Sequence, residues 1–301
     1  MQQPDSLSRT IATAAVLCVV CSLAVSAAAV ALKPTQIANE KLDQQKNILD
    51  AAGLALGEYG LPASKLSKKQ IDELYGWVSE ALINMNDGSF NNEVKAADWD
   101  LAEAASDPDT SVPIENPTYD PGEVSRPSVM KVYFVKRPGS DTIQQVVLPI
   151  YGKGLWGTLW GYLALKSDLK TIQGLTYYQH KETPGLGGEV DNPAWKAKWD
   201  GRKLYDADGT PAALVFKGPA PAENVYAVDG LSGATITSNG VTKMLRYWAS
   251  DDAYGPFLKK LGKDIESGAP IGNATKSDKK SSDASSDQSA DIRQSGESIN
   301  G

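Results

Sequence analysis

Residues 11–32 form one uncharged, mostly apolar run between Arg9 and Lys33. About 20 such residues, each rising roughly 1.5 Å in a helix, cross a hydrocarbon core of about 30 Å, so the run predicts a transmembrane helix. Ser26 and the alanines at 27–29 would also suit the cleavage site of a signal peptide. The run is longer than the apolar core of such a peptide, which favours a retained anchor. The pattern then becomes periodic. Residues 34–56 place Leu42, Leu49 and Ala52 on one helical face, and Gly57, Gly60 and Pro62 mark the stop. Ser67 with Gln70 predicts a capping box, opening a second amphipathic helix that carries Ile71, Leu74, Tyr75, Val78 and Leu82. Residues 91–127 are acidic and broken by Pro108, Pro113, Pro117 and Pro121, which predicts a short helix and a surface loop.

From Val129 the pattern changes to β. Residues 131–136 and 142–150 flank the turn sequence Arg-Pro-Gly-Ser at 137–140 and predict paired strands. Further strands are expected at 159–165, 171–180, 213–217 and 224–228, with a short helix started by Asn192 and Pro193. Val241, Leu245 and Trp248 share a helical face near the end of the folded part. Beyond about residue 263 the chain is Ser-, Asp- and Lys-rich, the composition of a disordered tail. The expected class is α+β. An N-terminal stub (1–10) precedes the transmembrane helix (11–32), a helical region with an acidic loop (33–128), an antiparallel β-rich domain (129–262) and the tail (263–301).

Composition removes several functions. The net charge is −7, contrary to the basic face that nucleic-acid binding needs. The chain has two cysteines and one histidine. An iron–sulfur cluster generally takes four cysteine-type ligands, and c-type haem takes Cys-x-x-Cys-His. Cys18 and Cys21 have that first spacing, but Ser22 follows and both lie inside the apolar run, where they read as small membrane-helix residues. No metal site is expected. If the chain carries electrons unaided, the carrier is organic.

The stretch with the most chemistry is 229–240, Asp-Gly-Leu-Ser-Gly-Ala-Thr-Ile-Thr-Ser-Asn-Gly, with three glycines and four hydroxyl side chains. It lies between a strand ending at Val228 and a helix. Strand, glycine-rich turn and helix N-terminus suit an anion, because the first N–H groups point outward and the helix dipole favours negative charge there. An ordinary strand–turn–helix is the plain alternative. Two other stretches stand out: 148–157, Leu-Pro-Ile-Tyr-Gly-Lys-Gly-Leu-Trp-Gly, and 180–188, His-Lys-Glu-Thr-Pro-Gly-Leu-Gly-Gly. In the second, Pro184 and the glycines make a compact loop against which a flat ring could be pressed.

Together, in this order, the three stretches resemble the C subunit of the sodium-translocating NADH:quinone reductase. The related G subunit of the Rnf complex shares the flavinylation motif Asp-x-x-Ser/Thr-Gly-Ala-Thr and a similar loop. The fuller 232–241 run, the anchor and the 152–157 stretch incline the reading to the sodium pump. The resemblance implies FMN esterified through its phosphate to Thr235, with Asp229, Ser232, Gly233 and Ala234 around the attachment. It further implies that Thr183 and Leu186 touch the flavin, with Glu182 close by and Trp156 contributing. It also implies a flavin transferase for maturation, which is magnesium-dependent and draws FMN from FAD, and partners in the pump, especially its B, D and E subunits. The family's domain faces the periplasm from the bacterial inner membrane, takes electrons from a membrane iron–sulfur centre and passes them to the FMN of the B subunit.

Several positions keep a plainer reading beside this one. Asp229 either aids flavin transfer or caps the turn. Trp156 and Trp160, four apart, would share one face of a strand, near the flavin, at a subunit contact or in the core. Lys153 faces either a phosphate or solvent. His180 reads as a structural hydrogen-bond partner, since electron transfer needs no general base. No catalytic residue in the acid–base sense is expected. Ser232 lacks the glycine spacing of a hydrolase elbow. A class apart from redox chemistry, a membrane-anchored protein that holds a phosphate ligand without bonding to it, fits the 229–240 stretch as well.

Overall fold

The computed structural model describes residues 7–96, 99–140, 142–269 and 275–276. Helix α1 (Leu7–Ala51) carries the apolar run and the first amphipathic segment as one piece. Pro34 lies inside it, so the transmembrane helix expected over 11–32 and the helix expected from residue 34 are one. Proline removes one backbone hydrogen bond, and the turns on both sides of it stay helical. The stop comes earlier than Gly57, because Gly53 takes φ 66°, a left-handed conformation that few other residues adopt. A short helix α2 (Leu54–Tyr59) follows. Among the described residues α1 is the one helix long and apolar enough to cross a membrane, and its apolar run is fully exposed.

Helix α3 (Lys68–Tyr75) opens with the expected capping box, Ser67 and Gln70 each serving the other's backbone N–H. It ends two turns after it begins. Val78 and Leu82 do not continue it; they belong to strand β1 (Val78–Asn84). The Gly76 N–H closes onto the last helical carbonyls. A seven-residue antiparallel register, Val78 opposite Val135 through Asn84 opposite Val129, then outweighs a helical spacing that side-chain order alone satisfies. The region before 129 therefore shares the main sheet, because it supplies a strand to it.

Strand β2 (Phe90–Asn91) is followed by helix α4 (Leu101–Ser106), which Asp100 caps by accepting from the Glu103 N–H, and by the ribbon of β3 (Ser111–Pro113) and β4 (Ser125–Pro127). The acidic segment thus holds a short helix as expected, plus two strands not foreseen. The main sheet continues with β5 (Val129–Val135), β6 (Gln145–Lys153), β7 (Thr158–Lys166) and β8 (Ile172–Gln179), all antiparallel neighbours. Helix α5 (Pro193–Lys196) has Asn192 as its cap and Pro193 in its first turn. Strands β9 (Leu214–Val215) and β10 (Ala227–Val228) pair in parallel as a ribbon of their own, outside the main sheet. Helices α6 (Thr235–Ala249) and α7 (Gly255–Ser267) complete the domain, so ordered helix runs past residue 263. Thr275–Lys276 forms β11 on the outer edge of β1. The rest of the expected tail lies outside the described residues, as do residues 1–6 of the N-terminal stub.

Alternation along the strands builds two cores. Val146, Leu148 and Ile150 of β6 and Val132 and Phe134 of β5 face α6 and α7. Val147, Tyr133 and Val135 face α1, α2 and α3 on the other side. The direction of α1 over β8 matters for the site. Ala51 lies on Gly174, where a Cβ would come within 2.4 Å of the Ala51 carbonyl oxygen. Asn47 accepts from the Thr176 hydroxyl at 3.2 Å, and the charge of Glu40 reaches Tyr178. Helix and strand therefore run antiparallel, and the outgoing end of β8 points the same way as the apolar run.

Candidate functional site

The turn after β10 leads into α6 with Ala234 as N-cap and Thr235 as the first helical residue. Helices α3, α4 and α5 have side-chain caps, but no side chain among the described residues caps α6. Its first N–H groups are left for solvent or a ligand. Ser232, Gly233 and Thr235 are exposed. Gly233, at φ 69°, turns the chain so closely under Leu186 that a Cβ there would sit 3.0 Å from a Leu186 methyl. The turn is held from below, where Ser238 Oγ accepts from the buried Leu231 N–H at 3.2 Å.

The other two stretches meet this turn. Residues 153–158 form the β6–β7 hairpin, closed by the Gly154 N–H donating to the Gly157 carbonyl at 2.8 Å. The loop after β8 folds on itself, with the N–H groups of Leu186 and Gly188 both donating to the Thr183 carbonyl. Glu182 is only 5% exposed. Its Oε1 accepts from the Trp156 N–H at 2.9 Å and its Oε2 from the Thr237 hydroxyl at 2.5 Å. His180 fixes the start of the loop: Nδ1 accepts from the Glu182 N–H at 3.2 Å, which leaves the proton on Nε2, 2.7 Å from Asp191 Oδ2. The structural reading of His180 is the one the geometry supports.

On the opposite side of Thr235 an open hollow of about 500 Å³ is lined by Trp195, Lys198, Gly218, Asp229 and Ser232 among others. Asp229 is engaged at both oxygens, by the Ala220 N–H at 2.7 Å and by the Lys198 ammonium. The Lys198 hydrogen bond, with help from that N–H, holds the Asp229 carboxyl below the usual carboxylate range. The Trp195 indole donates to the Asp229 carbonyl at 2.8 Å. Asp229 thus fastens the turn to the neighbouring segments.

Residues 154–250 match the FMN-binding domain family, a span that begins at the hairpin turn and ends just past α6. The chain is 40% identical over 257 residues to the C subunit of the Na(+)-translocating NADH-quinone reductase of Yersinia pestis, covering 85% of this chain and 94% of that one. It is 42% identical over 267 residues to the same subunit in Pseudomonas aeruginosa, covering 87% and 99%. The chain belongs to the family of C subunits of the Na(+)-translocating NADH-quinone reductase. In structure it is similar to NqrC of Shewanella oneidensis, with TM-score 0.66 and 31% identity over 75% of this chain and 99% of that one. The C subunit of the Parabacteroides distasonis reductase gives 0.57 and 26%, over 75% and 96%. Both the sequence and the fold lead to the C subunit of this reductase.

The residues present fit the family's FMN. An exposed hydroxyl heads an uncapped helix, so a phosphate bonded to it would lie among free N–H donors. Leu186 and Trp156, 43% and 64% exposed, offer apolar surface to a ring. Of the residues expected at the site, Asp229, Ser232, Gly233, Ala234 and Thr235 form the turn, while Glu182, Thr183 and Leu186 form the facing loop. Trp156 differs from expectation. It sits in the hairpin turn, off the strand, and so shares no face with Trp160, whose ring stacks on Tyr151 at 4.5 Å. Lys153 lies over Gly122, away from the hollow. Sequence reasoning missed Lys198, Thr237 and Glu123, which meet Asp229, Glu182 and Thr158 respectively only through the tertiary fold.

Glu123 braces the hairpin from outside by accepting from the Thr158 hydroxyl at 2.8 Å. Burial raises its carboxyl above the usual range, against the opposing pull of that bond and of Lys153. The folded chain thus holds this proton to higher pH than the unfolded chain does, and stability from this group falls as pH rises from about 4.3 through the raised value. Glu123→Gln, neutral throughout and still able to accept from Thr158, is expected to remove that fall. Urea unfolding at a series of pH values is the measurement, and an unchanged slope would acquit the carboxyl.

Proposed function

We propose that this chain is the flavinylated electron-relay subunit of a sodium-exporting NADH:quinone reductase, with FMN joined through its phosphate to Thr235. The observation that carries this reading is the position of Thr235: an exposed hydroxyl at the first residue of an uncapped helix, facing the loop that holds Thr183 and Leu186. When bound there, FMN would supply one- and two-electron redox chemistry that the side chains lack. Thr235 Oγ forms the ester bond as AMP leaves FAD on a flavin transferase, since a threonine hydroxyl is a poor nucleophile without such help. The open α6 N-terminus receives the phosphate charge, Lys198 adds a cation beside the hollow, and Leu186 and Trp156 cover apolar ring surface. Asp229, Ser232, Gly233 and Ala234 shape the turn.

The family resemblance supports the periplasmic side for the domain and the B, D and E subunits as partners. Covalent attachment suits that compartment, since a carrier outside the cytoplasm cannot be replaced from the cytoplasmic flavin pool. A single apolar helix provides no ion path, so sodium crosses in the partners. The test is co-expression with a flavin transferase, denaturing electrophoresis and ultraviolet inspection for flavin fluorescence. The wild-type band is expected to glow and Thr235→Ala to be dark, with peptide mass spectrometry placing the added mass on Thr235. A dark wild-type band would leave a non-covalent phosphate binder as the better description. A fluorescent Thr235→Ala band would move the attachment elsewhere.

A further inference from the structure

All three chemistry-bearing stretches of the sequence converge on the Glu182 carboxylate. The hairpin turn reaches it through the Trp156 N–H, the first turn of α6 through the Thr237 hydroxyl, and the facing loop is the one that carries it. The packing leaves space for little else. A Cβ on Gly154 would sit 2.6 Å from Glu182 Oε1, and a Cβ on Gly187 2.6 Å from both Glu182 Oε2 and Thr237 Oγ1. Glycine at these positions lets two backbones close over the carboxylate and exclude water from it. A carboxylate buried in this way must have its acceptors filled, and here each oxygen is filled by a different segment. Because Trp156 is the residue its own N–H anchors, and Thr237 lies in the first turn of the helix that Thr235 starts, the bonds fix two of the surfaces around the attachment hydroxyl.

We propose that Glu182 is a positioning residue for flavin attachment: its carboxylate pins the Trp156 turn and the start of α6 to the 182–188 loop, so that Trp156, Leu186 and Thr235 are presented as one preformed seat. This rests on the reading of Thr235 as the flavin attachment point. Glu182 acts through the groups it holds. An amide can do part of the same work. In Glu182→Gln the carbonyl accepts from the Trp156 N–H and the NH₂ donates to Thr237 Oγ. Alanine can do neither. In Thr237→Val only the α6 bond is lost and the side-chain shape is kept.

The experiment uses the full chain, co-expressed with a flavin transferase and purified in detergent. Flavin per chain is read from denatured samples, and the iodide quenching and visible absorption bands of the flavin from native ones. Glu182→Ala is expected to lower flavin per chain at least tenfold, and Glu182→Gln to restore it to within about threefold of wild type. Thr237→Val, which spares the Trp156 bond, is expected to keep substantial loading but to raise iodide quenching about twofold and shift the bands. Should Glu182→Ala fail to fold, the Gln and Val variants decide the matter. Wild-type iodide quenching and unchanged bands in Thr237→Val would overturn the proposal. A bright wild type with equally bright Glu182→Ala would overturn it while leaving the Thr235 reading intact, whereas a dark wild type would overturn both.

Discussion

Trp248→Ala is expected to destabilise the chain by about 3–5 kcal/mol, the range for removing a large aromatic side chain from a packed core. Trp248 is 1% exposed and lies among Tyr151, Tyr247 and Tyr254, with ring centroids 5.0, 5.4 and 5.3 Å away. Its indole N–H donates to the Tyr151 carbonyl at 2.6 Å, so alanine leaves both a cavity and an unmet buried acceptor. That bond also ties α6 to β6, the strand that ends at the hairpin turn. Trp248→Phe keeps most of the volume and loses the donor, and should cost only about 1–2 kcal/mol. Denaturant unfolding of the full chain in detergent, followed by near-ultraviolet circular dichroism, measures both. A loss below about 1 kcal/mol for alanine, on the order of a surface change, would mean the aromatic cluster repacks.

Gly240→Ala sets two effects against each other. In an ordinary helix interior alanine is favoured over glycine by about 1 kcal/mol. Here a Cβ would lie 2.2 Å from the Lys153 carbonyl oxygen, at the end of β6. Even a close carbon–oxygen contact needs roughly 3.3 Å, so α6 must retreat by about 1 Å. Overpacking of this kind costs about 1–3 kcal/mol, and against rigid backbone the upper end applies, so a net loss of about 2 kcal/mol is expected. Because the retreat moves the start of α6 from the hairpin turn, flavin per chain should fall as well. Thermal unfolding and gel fluorescence of the same preparation test the two parts. A stabilised variant would show that propensity prevails and that the contact relaxes.

Legibility differed between local and distant relations. The N-terminal apolar helix, the capping box at Ser67, the Asn192–Pro193 helix start and strands β5 to β8 follow from neighbouring residues, and the structure has them. Val78 and Leu82 misled, because their spacing fits a helix and only β5, some fifty residues later, makes them a strand. The site divided in the same way. Its backbone frame, turn, loop and hairpin, is written in glycines and prolines that sequence displays. Thr237, Lys198 and Glu123 are common residues in common contexts, and what distinguishes them is who stands opposite. Likeness to known relatives settles the family. The roles of the individual residues around Thr235 rest on the geometry described above and on the experiments proposed.

Helix α1 has a consequence for encounter rates. It runs without a break from the apolar segment onto β8, antiparallel to that strand, and the charge of Glu40 already reaches Tyr178 near the strand's outgoing end. From Glu40 back to Lys33, where the apolar run stops, is about 10 Å of helix at 1.5 Å per residue. The loop carrying Thr183 and Leu186 therefore leaves the sheet on the side toward that apolar run, on a short, stiff leash. Held in one complex with a partner at that end, a group so tethered would meet it at an effective concentration set by the reach of the tether and not by the bulk concentration. Lengthening or loosening the stretch around Pro34 would dilute the site against such a partner without altering a single contact within it.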